Sequence, residues 1–190
     1  MSMFDIRYFW LGGSVVTAAA AALAVALLSG AQSGPAAALR LSSPAFTNNQ
    51  AIPKSNSCDG DNTSPVLRWD GVPPGTQSLA LVLRDPDAPA GEFYHWLLYD
   101  LPASVSALPS GKYHAAKFPL GGLQGENGFG DLGYGGPCPP LGAPHHYIFT
   151  LFALNQASLG LPPGASSDDL TTAMQGKVLA QAKLVGLYRR

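Results

Sequence analysis

"SLALVLRDPDAPAGEFYHWLLYDLP", residues 78–102, decides the architecture. Five apolar residues in succession, Leu79 to Leu83, are what a central strand covered on both faces requires. The Pro- and Gly-rich "PDAPAG" then breaks the run, and "FYHWLLYDLP" (93–102) starts a second strand. A period of two places His95, Leu97, Tyr99 and Leu101 on one face of it. Tyr94, Trp96, Leu98 and Asp100 fall on the other. Outward from this hairpin lie "PVLRW" (65–69) on the N-terminal side and "HYIFTLFAL" (146–154) on the C-terminal side, both further strands. Short strands separated by shaped turns predict a mainly antiparallel β-sandwich with one or two peripheral helices.

The helical signal lies near the C-terminus. Ser166 and Ser167 are candidate caps, Asp168 and Asp169 fill the first turn, and Leu170, Met174 and Val178 recur every four residues. Residues 103–136 read as a long Gly-rich loop, of the kind that is functional or poorly ordered.

Composition narrows the function. The formal net charge is −1 without any basic block, so nothing points to nucleic acid. Arg7 precedes an uncharged stretch from Tyr8 to Leu28, followed by small residues at Ser29, Gly30 and Ala31. That order predicts a signal peptide over residues 1–31 and a periplasmic or secreted protein, with an uncleaved membrane anchor through residues 8–28 as the alternative. Residues 32–44 then read as a linker and 45–190 as one domain. In an oxidising compartment the two cysteines, Cys58 and Cys138, are expected to form a disulfide, two separate thiols being the alternative.

The candidate chemistry sits at strand ends. Asp85 closes the most apolar strand, His95 lies near the start of the next, and His145 and Tyr147 open the third, on one face. If these strands are neighbours, the four side chains converge, with the prolines of "DPDAP" and "GPCPP" as walls. Asp85 also has a simpler role open to it, accepting N–H bonds within the Asp-Pro turn. His146 should point away from its neighbours, and His114 carries no signal. No HxH or HExxH pair favours a metal, no cofactor motif is present, and no GxSxG elbow favours a serine hydrolase. An enzyme is therefore not expected.

Three stretches together closely resemble the phosphatidylethanolamine-binding protein family: "CDGDNTSPVLRWDGVPPGTQSLALVLRDPDAPAGEFYHWLLYDLP", "GENGFGDLGYGGPCPPLGAPHHYIFTLFAL" and "VLAQAKLVGLYRR". The likeness is greatest to the bacterial Raf-kinase-inhibitor-like branch of YbhB/YbcL type. It implies a Greek-key sandwich and a pocket for phosphate-bearing or other small anions, such as a phospholipid headgroup. The pocket residues carried over are Asp85, Pro89, His95, Pro139, His145 and Tyr147, with a cis peptide before Pro89. Relatives that inhibit kinases or proteases imply an alternative, a protein-interaction module whose partner, after export, is a peptidase or envelope protein. Membrane contact is expected only through the N-terminal segment or through headgroup binding. Two departures stand out. His146 occupies a position where the family commonly has Arg, and Pro144 ends the preceding loop. Backbone N–H groups of the Gly-rich loop are expected, with Tyr147 and the histidines, to donate to the anion.

Overall fold

A computed structural model of the chain describes residues 38–190. The signal or anchor segment expected over residues 1–31 lies outside the described residues. Among the described residues, nine strands form two sheets. The smaller has the order β1 (Arg40–Ser42), β3 (Leu67–Asp70), β6 (Ala107–Leu108). The larger runs β2 (Gln50–Ala51), β9 (Val178–Tyr188), β8 (His145–Leu154), β4 (Ser78–Asp85), β5 (Phe93–Pro102), β7 (Leu123–Gln124). Every described pair is antiparallel except β2 with β9. Within the segment expected as a linker, 32–44, β1 pairs with β3 and buries Leu41.

The continuous apolar run of β4 has a use on both sides. Leu79, Leu81 and Leu83 face the smaller sheet and pack with Leu41, Leu67, Trp69 and Leu108. Ala80 and Val82 face outward, beneath a second cluster built from Leu159, Leu170 and Met174. Each fully buried leucine removed from water contributes roughly 1.5–3 kcal/mol, which makes this strand the centre of the fold.

The strict alternation expected for β5 fails twice. Its register against β4 shifts between Leu83 and Arg84 and again between Leu79 and Leu81, each time with one extra residue on β5. Leu101 consequently joins Trp96 and Leu98 in the inner cluster, while Leu97 and Tyr99 lie in the outer one. Asp100, at φ +53°, turns the backbone there, and its carboxylate accepts bonds from Ser158 Oγ and Leu159 N. The shift beside His95 matters more, as shown below.

The α-helix α1 (Ser167–Met174) covers the outer face. Ser166 caps it, and the Asp169 carboxylate answers with a bond to the Ser166 N–H. The helix is shorter than its apolar period suggests. Gly176, at φ +71°, lies just beyond it, and Val178 begins β9 instead of a third helical turn. No described helix is long and apolar enough to cross a membrane.

The 103–136 segment is tied down despite its glycines. Gln124 is fully buried. Its amide accepts from Trp96 Nε1 and donates to the carbonyls of Tyr113 and Ala115. Tyr134 donates to Asn56 O.

Candidate functional site

The inner face of the large sheet stays apolar until its strands end. Counting outward from Leu81 and Leu83, the next inward position of β4 is Asp85. Counting back from Leu151 and Phe149, the next inward positions of β8 are Tyr147 and His145. Since β4 lies between β8 and β5 and runs antiparallel to both, the end of β4 meets the starts of its two neighbours. The extra residue in β5 brings His95 into this group. Its ring lies 5.2 Å from that of Tyr147, although Tyr147 belongs to the inner cluster with Trp96 and not to the outer one with Leu97.

All six anticipated residues, Asp85, Pro89, His95, Pro139, His145 and Tyr147, line one cavity of about 130 Å³. Ala88, Phe93, Phe129 and Pro140 complete the wall together with Cys138, which is joined to Cys58 by a disulfide. Pockets for drug-sized ligands span roughly 300–1,000 Å³, so this one suits a group the size of a phosphate. The peptide bond before Pro89 is trans, against the expectation of cis, as are all described peptide bonds.

The hydrogen bonds fix the roles of the ring nitrogens. Asp85 Oδ2 accepts from His145 Nδ1 at 2.8 Å, and Asp85 Oδ1 accepts from the Asp87 N–H at 2.8 Å. Asp85 thus fills both roles open to it, closing the Asp-Pro turn and orienting a histidine. His95 Nδ1 donates to Gly135 O at 2.7 Å. A carbonyl or carboxylate can only accept, so both rings carry their proton on Nδ1 and keep Nε2 for the cavity. The Tyr147 hydroxyl is buried and has no hydrogen-bond partner among the described residues. A native fold rarely leaves such a group unsatisfied without a reason.

The Gly-rich loop does not play the part expected of it. The Gly135 N–H donates to His95 O and the Gly136 N–H to Asn62 Oδ1, so neither is free for an anion. The glycines serve ring packing instead. A Cβ at Gly128 would stand 2.5 Å from the Phe93 ring, and one at Gly135 would stand 2.6 Å from Phe129. Phe129 is therefore free to press edge-to-face on Phe93 and His95, and Phe93 to pack tilted on His95.

Comparison with known proteins agrees with this fold. A family profile described as Phosphatidylethanolamine-binding protein matches residues 42–189. The chain is 48 % identical over 155 residues to the UPF0098 protein of Aquifex aeolicus, covering 81 % of this chain and 90 % of that one. It is 37 % identical over 165 residues to the UPF0098 protein YbcL of Escherichia coli, covering 82 % and 90 %. The crystal structure of E. coli YbcL, described as a new member of the mammalian PEBP family, superposes with a TM-score of 0.76 at 35 % identity, over 81 % of this chain and 99 % of that one. The chain belongs to the phosphatidylethanolamine-binding protein family.

In this member of the family the site has a distinct charge pattern. Burial holds the His95 imidazole below its usual pKa, an effect the Gly135 carbonyl and the Asp85 charge only partly offset. Burial, with the Asp85 charge second, pushes the Tyr147 phenol upward, so it remains a hydroxyl. His146 points outward, as its strand position requires, and Asp87 Oδ2 accepts from both its N–H and its Nδ1 at 2.7 Å. Those bonds hold the Asp87 carboxyl below the usual range. Phe93 and Phe129 carry no sequence signal for the site: Phe93 is the first of several aromatics in its strand, and Phe129 lies in the Gly-rich loop, which has no period.

The depressed His95 pKa has a consequence for stability. Between its native pKa and the unfolded value of about 6.5 the unfolded chain binds more protons, so stability is present above that value and lost as pH falls below it. Melting temperature is expected to drop more steeply between about pH 7 and pH 5 in the wild type than in His95→Gln. Parallel curves would contradict a neutral, buried His95.

Proposed function

We propose that this protein is an exported, non-enzymatic receptor for small anions, chiefly phosphate-bearing groups of headgroup size. The observation that carries this reading is the partnerless Tyr147 hydroxyl in a phosphate-sized cavity, beside two imidazoles with uncommitted Nε2 atoms. The Asp85–His145 pair could orient a base, yet the wall offers no Ser or Thr nucleophile and Cys138 is spent in the disulfide. The disulfide and the apolar segment from Tyr8 to Leu28 support export. Binding of phosphate esters should vary with pH between about 5 and 8, where imidazole titrates.

Exposed apolar side chains support a second reading. Phe129 is 49 % and Leu141 84 % exposed, on two loops at the cavity. Such a rim suits a protein-interaction module acting on a peptidase or envelope partner.

Two variants test the receptor. His145→Ala is expected to abolish binding of a simple phosphate ester in calorimetry, while leaving partner inhibition intact if the second reading holds. Tyr147→Phe should weaken ester binding by about tenfold and yet raise stability by about 1 kcal/mol, because it removes an unsatisfied buried hydroxyl. Unchanged affinity in both variants would defeat the receptor reading.

A further inference from the structure

We propose that the cavity takes up its anion together with one proton, and so selects a phosphate monoester over a phosphate diester carrying the same substituent. This inference rests on the anion-receptor reading above and adds the chemical class of ligand. It follows from an inventory of side-chain donors.

No lysine or arginine lines the cavity, and three of its wall residues are prolines, which have no N–H. Both histidine Nδ1 protons are already donated, to Gly135 O and to Asp85. In the neutral rings Nε2 is therefore a bare acceptor. Asp85 adds a carboxylate, and the Tyr147 hydroxyl is the one side-chain donor of the wall without a partner.

Among the described residues, Arg189 stands beside Pro144 but does not line the cavity. Arg84 is paired with Glu92 and Arg190 with Asp59. His146 is bound to Asp87 at the mouth, and the loop bearing Phe129 adds the exposed Glu126 and Asp131. Three aromatic rings, Phe93, Phe129 and Tyr147, pack on His95 and keep water from it.

A phosphate dianion placed here would set its oxygens against two lone pairs and a carboxylate. One proton between a phosphate oxygen and an Nε2 turns that repulsion into a hydrogen bond. A monoester brings the proton readily, because its second ionisation lies near pH 6, at about the same place as imidazole. The bound species is then the hydrogen-phosphate monoanion, with P–O–H donating to Nε2. Above about pH 6 the proton is drawn from solvent as the free dianion binds. A diester has no such P–OH. It can be met only by protonating an imidazole inside the cavity, which burial opposes.

Calorimetry on the full-length protein separates the outcomes, using phenyl phosphate and methyl phenyl phosphate in two buffers of different ionisation enthalpy. At about pH 7.5 the expected result is uptake of about one proton per phenyl phosphate, with the diester bound at least about tenfold more weakly. Monoester binding without proton uptake, or a diester that binds equally well, overturns the proposal and leaves the anion receptor standing. Failure of both ligands to bind anywhere between about pH 5 and pH 8 overturns the receptor reading as well.

Discussion

Replacing Cys58 and Cys138 together by serine is expected to lower the unfolding free energy by about 4 kcal/mol and the melting temperature by about 8–16 °C. The bridge joins residues 80 apart in sequence, and closing so long a loop removes much conformational freedom from the unfolded chain. It also fastens the cavity wall. Cys138 stands between Pro137 and Pro139, and the Cys58 N–H donates to Pro137 O, so the bridge and this bond tie the proline segment to the chain after the 3-10 turn Lys54–Asn56. Loss of the bridge should therefore weaken phosphate-ester binding as well as lower stability. Denaturant unfolding of the oxidised, reduced and serine forms measures the effect. A change below about 1 kcal/mol would mean that the proline segment holds itself without the bridge.

Replacing Asp85 by alanine should produce the second large effect. Two donors in a closed site, His145 Nδ1 and the Asp87 N–H, lose their acceptor. Each orphaned donor costs about 1–3 kcal/mol, for a total of roughly 2–6 kcal/mol. Asp85→Asn keeps one oxygen and should lose about half as much. The binding result is the more informative one. A carboxylate beside an anion repels it, so charge alone predicts tighter binding once it is removed. Here the carboxylate also orients His145 and holds its proton on Nδ1, so both variants are expected to bind phosphate esters at least about tenfold more weakly. Tighter binding by Asp85→Asn would show that repulsion outweighs orientation.

The sequence made the site legible where alternation ran unbroken to a strand end. Asp85, His145 and Tyr147 keep the parity of Leu83 and Phe149, so their common face could be counted out. His95 reached the same place by a different route, through an extra residue that no local signal announces. Strict alternation had placed it with Leu97, whereas it packs against Tyr147 on the side of Trp96. The long strand β9 was equally hard to see. Val178 completed a helical spacing with Leu170 and Met174, and only the positive φ of Gly176 breaks it. The Gly-rich loop misled for a physical reason. Its glycines were read as N–H donors, but their missing Cβ atoms make room for Phe93 and Phe129. Two-residue strands such as β6 and β7 carry too few residues to show a period.

Imidazole-nitrogen NMR during a phosphate titration tests most directly whether two strand-end histidines form one anion receptor. An anion seated in the cavity predicts that the Nε2 resonances of His95 and His145 move together with a single midpoint, while both Nδ1 atoms stay protonated. If His95 and His145 do not respond, or titrate with separate midpoints while another histidine shifts, the cavity is not the anion site.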